Sequence, residues 1–156
     1  MRFRITMMKI TVISIGKLKE KFLRDGVNEY IKRLQAYCKF REIEIKENPK
    51  DDIEEEGRRI LDKIPQNNFV VTLEIEGKSL SSEAFAKKMS QWSLEGKSAV
   101  TFIIGGSSRL SNEVRKRGDY KLSFSNMTFT HQMMRLFLLE QIYRCFKINA
   151  GETYHK

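Results

Sequence analysis

The sequence predicts an α/β protein: an open, mostly parallel sheet of five strands with helices on both faces. Two observations predict it. Five short apolar runs rich in β-branched residues recur along the chain, and segments of helical period separate them.

Lys9–Ile15 is a β-branched run closed by Gly16, the pattern of a buried strand. Glu20–Tyr37 follows with Leu23, Val27, Tyr30, Ile31 and Leu34 on one helical face. Phe40–Ile45 is the second strand, its Ile43 and Ile45 alternating with charges. Asp51–Ile64 opens acidic, groups Ile53, Gly57, Ile60, Leu61 and Ile64, and stops at Pro65, as a helix should. Phe69–Ile75 is the third strand, closed by Glu76-Gly77-Lys78. Ser81 or Ser82 can cap the helix carrying Phe85, Met89 and Trp92, which Gly96 ends. Ala99–Ile104 is a fully apolar fourth strand running into Gly105-Gly106. A short helical piece at Ser111–Arg117 leads to the fifth strand, Tyr120–Ser125, and Thr130 caps a final helix, His131–Phe146.

That last helix is apolar around most of its circumference. Eleven of the sixteen residues from Met133 to Ile148 are apolar, more than one stripe against a sheet requires. The simplest cover for the second face is another copy, so a homodimer built on this helix is expected, with burial inside one subunit as the alternative.

A chain of 156 residues fits one domain and needs no disulfide or metal staple to hold its core. Met8-Lys9-Ile10 opens the first strand cleanly. Residues 1–7 are therefore expected to be an N-terminal extension to a single domain at 8–156. The start is basic but has no apolar core or cleavage site, and no apolar run approaches the roughly 20 residues of a spanning helix, so a soluble cytoplasmic protein is expected.

The net charge of +9 favours a polyanionic partner, with a merely well-solvated surface as the alternative. Two basic segments, net +7 over 1–46 and +5 over 109–156, flank a middle of net −3. Cys38 and Cys145 lack C-x-x-C spacing and lie in apolar helical contexts, which suits small buried hydrophobes.

Several chemistries are unsupported. There is no P-loop, no G-x-G-x-x-G after the first strand and no G-x-S-x-G. With only His131 and His155, and no carboxylate cluster at ligand spacing, no metal site is expected. In an open α/β sheet ligands bind beyond the carboxyl ends of the strands, which points to Leu73–Gly77, Gly105–Leu110 and Phe124–Thr130.

Four ordered motifs, three of them overlapping those regions, carry a resemblance. They are Thr72-Leu73-Glu74-Ile75-x-Gly77-Lys78-x-Leu80-Ser81-Ser82; Ile103-Ile104-Gly105-Gly106-Ser107; Leu122-Ser123-Phe124-Ser125-x-Met127-Thr128-Phe129-x-His131-x-x-x-Arg135; and Gly151-x-x-Tyr154-His155-Lys156. Together they resemble the ribosomal RNA large subunit methyltransferase H family of the SPOUT class, over nearly all of 8–156. The resemblance implies an enzyme that uses S-adenosylmethionine to methylate N3 of a pseudouridine in 23S ribosomal RNA, preferably on assembled ribosomes. It also implies a homodimer and a C-terminal trefoil knot, which periodicity cannot reveal.

By the same resemblance the cofactor pocket maps onto Leu73, Gly105, Phe124, Ser125, Asn126, Met127, Thr128 and Phe129. These types suit adenosine: glycine admits close main-chain approach, and leucine, methionine and phenylalanine can line a flat base. Ordinary core is the alternative for Leu73 and Phe129, and a helix-capping loop for Ser125–Thr128.

Methyl transfer from a sulfonium is mainly a positioning problem, and the acceptor imide must lose its proton. His155 is the candidate to bind or deprotonate the base, with Tyr154 ordering the nucleotide; a frayed terminus is the alternative. Arg109, Arg135 and Lys156 are candidate RNA contacts, and for Arg135 a structural salt bridge competes. His131 is expected to be structural. Arg115-Lys116-Arg117 and Lys17, Lys19, Lys21 and Arg24 are either phosphate contacts or a solvated face.

Two departures from the family pattern stand out: Arg109 where glycine is common, for which a different turn after Gly105-Gly106 or a contact to RNA is expected, and Thr130 where proline is common, with little consequence expected. A non-catalytic RNA- or ribosome-binding α/β protein is the alternative function, separable by affinity for S-adenosylmethionine.

Overall fold

The computed structural model describes residues 7–106 and 109–154. The elements follow in the order β1 (Lys9–Ile15), α1 (Lys21–Leu34), β2 (Lys39–Ile45), α2 (Ile53–Lys63), β3 (Phe69–Ser79), α3 (Ser82–Leu94), β4 (Ala99–Ile104), α4 (Asn112–Arg117), β5 (Tyr120–Ser123) and α5 (His131–Asn149). The five strands form one sheet in the order β2-β1-β4-β3-β5, and every pairing is parallel.

Alternation along the strands builds two cores. Ile10 and Val12 of β1, Val71 of β3, and Val100, Phe102 and Ile104 of β4 face α1, α3 and α5. Ile13, Ile15, Val70 and Ile103 face α2 and α4, where Ile60 and Val114 meet them. The crossovers are consistent with this division. β1–β2 and β3–β4 cross on the first face, while β2–β3 and β4–β5 cross on the second.

Helix starts are set by side-chain caps. Asp52, Ser81, Ser111 and Thr130 each accept from a backbone N–H two or three residues on, satisfying donors the helix leaves free. Gly16 leaves β1 with φ of 86°, a left-handed turn that favours glycine.

α5 lies against α1 and α3 over the sheet, burying Leu138, Leu139, Ile142, Tyr143 and Cys145. The chain itself therefore covers much of the helix expected to need a second copy. Met133, Met134, Leu136, Phe137, Phe146 and Ile148 remain half-buried.

Three local features differ from expectation. β3 does not end at Ile75: it pairs with β5 through Leu73, leaves the ladder, and resumes at Lys78, both residues lying opposite Leu122. Gly77 permits that return, because a Cβ there would come within 2.8 Å of the Lys121 backbone. β5 is shorter than expected, closing at Ser123, because the chain turns away into the loop before α5. Cys38 is not helical; it sits in the turn after α1, where its N–H donates to Leu34 O.

Burial pushes the Cys38 thiol up to about 12 and raises Cys145 further still. Both stay protonated and inert at neutral pH.

Candidate functional site

β1 and β4 are neighbours whose connections leave in opposite directions, β1 toward β2 and β4 past β3 to β5. That divergence opens a crevice at the carboxyl ends of the strands, the place where open α/β sheets bind ligands. A cavity of about 930 Å³ lies there, walled by the β1–α1 connection, the ends of β3 and β4, and the β5–α5 loop.

Of the residues expected to hold a cofactor, Leu73, Gly105, Phe124, Ser125, Met127, Thr128 and Phe129 line this cavity. Asn126 lies in the same loop, exposed, but is not part of the lining. The loop is shaped internally: Ser125 Oγ accepts from the Met127 N–H at 2.9 Å, and Ser123 Oγ donates to the Ser125 carbonyl at 3.2 Å. Met127 is 73% exposed and Phe129 38%, with the Phe129 ring set edge-on to Phe137, their centroids 5.3 Å apart. Two apolar side chains held open to solvent at a cavity mouth suit a flat apolar ligand better than a folded core.

The excursion of β3 carries Glu74, Ile75 and Glu76 onto the cavity rim. Glu74 is firmly placed. Thr72 Oγ1 donates to it at 2.7 Å and Arg115 Nε at 2.6 Å, while Arg115 also reaches Glu76 at 3.4 Å. Arg117 pairs with Asp119 at 3.3 Å and donates to Asn68 O. The basic run at Arg115–Arg117 is therefore mostly committed to local partners, with Lys116 alone of the three exposed. The basic start of α1 divides in the same way: Lys21 pairs with Asp25, and Arg24 caps the carbonyls of Leu18 and Lys19.

For Arg135 the structure shows a structural salt bridge, the alternative to an RNA contact. Arg135 is 2% exposed and lies behind the cavity, where it pairs with Glu42 and, at 2.9 Å, with Glu44, and donates to Gly16 O at 3.1 Å. The charge is enclosed because β2 presents both glutamates to the face that α5 covers. Burial raises the Glu42 carboxyl above the usual glutamate range despite the opposing pull of Arg135. Arg109 is exposed on the cavity wall. His155 and Lys156 lie outside the described residues.

Tyr154 does not line the large cavity. Its hydroxyl donates to Glu140 at 3.0 Å and lies 3.3 Å from the Tyr30 hydroxyl, and its ring meets Tyr143 edge-on under the Arg144 guanidinium. Burial, reinforced by these two hydrogen bonds, holds the phenol above the ordinary tyrosine range, so Tyr154 acts as a donor and not as a base at neutral pH. Glu140 also accepts from Arg144 at 2.6 Å and borders a second cavity of about 520 Å³, which shares Leu122, Phe124 and Phe129 with the first.

Phe22 and Glu140 carry no signal in the sequence, Glu74 stands there only within a motif, and His131 is expected to be structural. His131 opens α5 on the cavity wall. Only exposure of a large apolar residue near a strand exit, or pairing across elements, distinguishes these positions, and neither is visible in one dimension. Among the described residues no group of three or more His, Cys, Asp or Glu side chains could hold a metal ion. No described helix is long and apolar enough to cross a membrane.

A family model described as a predicted SPOUT methyltransferase matches residues 8–155. The chain is 50% identical to a ribosomal RNA large subunit methyltransferase H of Clostridioides difficile and 52% identical to one of Bacillus cereus. Each match covers 96% of this chain and all of the relative. The fold is similar to that of a tRNA (m1G37) methyltransferase of Aquifex aeolicus, with a TM-score of 0.54 over 88% of this chain and 69% of that one, at 14% identity. The chain belongs to the SPOUT methyltransferase family, among the proteins of the ribosomal RNA large subunit methyltransferase H type.

Proposed function

We propose that this protein methylates 23S ribosomal RNA in the cytoplasm with S-adenosylmethionine as methyl donor, and that the acceptor is N3 of a pseudouridine on the assembled ribosome. The observation that carries the reading is the cavity at the β1/β4 divergence. It gathers seven of the eight residues expected to hold the cofactor, although they come from three separate stretches of chain.

The residues present fit that cofactor. Leu73, Phe124, Met127 and Phe129 would form apolar walls for a purine, and the β5–α5 loop and Gly105 would offer main-chain groups to its polar edges. When bound, S-adenosylmethionine supplies an electrophilic methyl group on a sulfonium. The protein's part is to hold the acceptor nitrogen in line and to favour loss of the imide proton. Arg109, exposed on the cavity wall, is a proposed contact to the RNA. His155 is the proposed group that binds or deprotonates the base. Tyr154, docked through Glu140, sets where the chain end lies.

The half-buried apolar residues of α5 support a homodimer through that helix, and the C-terminal trefoil knot belongs to the same reading. The test is methyl transfer from labelled S-adenosylmethionine to ribosomes that lack the modification, with the labelled nucleotide mapped. Label at N3 of one pseudouridine is expected. Cofactor binding without any label moves the search to another RNA, and no cofactor binding favours a ribosome-binding protein without catalysis.

A further inference from the structure

Phe22 stands out on α1. It is 64% exposed, it occupies the first turn of the helix, and it forms part of the cavity wall facing the β5–α5 loop. Its neighbours along the chain are charged: Lys17, Lys19, Glu20, Lys21 and Asp25 are all exposed. On α1 Phe22 is the one large apolar side chain left exposed, and the other exposed apolar side chains of the same cavity, Ile75, Met127 and Phe129, come from β3 and the β5–α5 loop.

The segment that carries this ring is held in place before any ligand arrives. The Lys19 N–H donates to Gln132 Oε1 of α5 at 3.0 Å. Arg24 Nη1 donates to the carbonyls of Leu18 at 3.0 Å and Lys19 at 2.8 Å. Buried Leu18 anchors the same stretch in the core. Arg24 is thereby committed to these carbonyls, while Lys19 is exposed on the cavity wall. The cavity, at about 930 Å³, lies at the upper end of the range for a small-molecule site.

We infer that Phe22 is the stacking platform for the acceptor base, and that Lys19 contacts a phosphate of the same RNA segment. This rests on the methyltransferase reading above and deepens it. Chemistry on a base requires the base to leave its stack, and an exposed ring at the cavity mouth replaces the contact that the base gives up. Lysine beside the ring meets the backbone as a point charge, without reading sequence. The Phe22 ring is thus a positioning group for the RNA and makes no contribution to cofactor affinity.

The test uses Phe22→Ala, Phe22→Trp and Lys19→Gln in the full chain. Methyl transfer to unmodified ribosomes is measured together with calorimetric S-adenosylmethionine affinity and the sedimentation of each variant. Phe22→Ala is expected to lower kcat/KM for the ribosome about tenfold or more, with cofactor affinity and sedimentation unchanged, and Phe22→Trp to stay within about threefold of wild type. Lys19→Gln is expected to raise KM for the ribosome and to flatten its salt dependence. Full activity in Phe22→Ala overturns the inference. So does a change in oligomeric state, which makes Phe22 a contact between copies, or a parallel loss of cofactor affinity, which makes it a cofactor wall. No transfer by the wild-type protein, with cofactor bound, overturns the ribosomal methyltransferase reading itself and this inference with it.

Discussion

Arg135, in the second turn of α5, donates a hydrogen bond of 3.1 Å to the carbonyl of Gly16, at the exit of β1. Residues 119 positions apart are thereby joined directly behind the candidate cofactor cavity. The same guanidinium holds Glu42 and Glu44 of β2. Both walls that meet here, the start of α5 and the β1–α1 connection, line the cavity, so the pair fixes their separation.

Replacing Arg135 by Met strands two carboxylates under α5. The expected cost is about 2–3 kcal/mol, less than for a fully enclosed pair because Glu44 keeps partial exposure. Urea denaturation at neutral pH checks this, and Arg135→Met with Glu42→Gln and Glu44→Gln should recover part of the loss. Unchanged stability in the single variant contradicts the structural role.

Gly77→Ala should cost about 1–3 kcal/mol, because the added methyl meets the Lys121 backbone and not a side chain that can swing away. Loss of the β3–β5 pairing beyond Leu73 is the expected local effect, and hydrogen exchange at Lys78 and Ser79 checks it.

Met127→Glu is expected to leave stability within about 0.5 kcal/mol, since the side chain is mostly exposed, while weakening S-adenosylmethionine about tenfold or more. Thermal unfolding and calorimetric titration of one preparation separate the two effects. Unaltered affinity removes Met127 from the site.

Docking of the C-terminal segment is expected to depend on pH. Hydrogen bonds from Lys147 and Tyr37 hold the Glu152 carboxyl below the usual glutamate range, so its contribution is complete above the unfolded value of roughly 4.3 and disappears as pH falls through the lower folded value. Lys147 is shifted upward by Glu152 and then Tyr37. Its contribution is present below the ordinary lysine value and is lost only in strong alkali. Limited proteolysis of the chain end should therefore accelerate in acid and not near neutrality, and Glu152→Gln should abolish that dependence.

Deleting Tyr154–Lys156 is expected to leave cofactor binding intact and to abolish methyl transfer, because Tyr154 is tied to Glu140 and lies outside the lining of the large cavity. Titration and turnover of the truncated protein check both halves. Retained turnover removes the chain end from the reaction.

How far the sequence showed this depends on what each feature is made of. β1 and β4 are legible because both faces are buried, which leaves near-continuous apolar runs, and the capping roles of Ser81 and Thr130 follow from local hydrogen bonding alone. The departure of β3 from its ladder was not legible, since it depends on Gly77 meeting Lys121 from another strand. Arg135 illustrates the same limit: a charge on an apolar helix has no stated partner until β2 is placed beneath it. Leu73, Gly105 and the Phe124–Phe129 loop came from a family resemblance, and the geometry that unites most of them comes from strand order.

The most direct test of the central claim, that the cavity at the β1/β4 divergence holds the methyl donor, is a titration of the labelled protein with S-adenosylmethionine followed by backbone amide NMR. Saturable shifts concentrated at Leu73–Gly77, Gly105–Leu110 and Phe124–Thr130 are predicted. Absence of binding at millimolar cofactor, or shifts centred instead on Leu80–Phe85 and Glu140 around the smaller cavity, would contradict it.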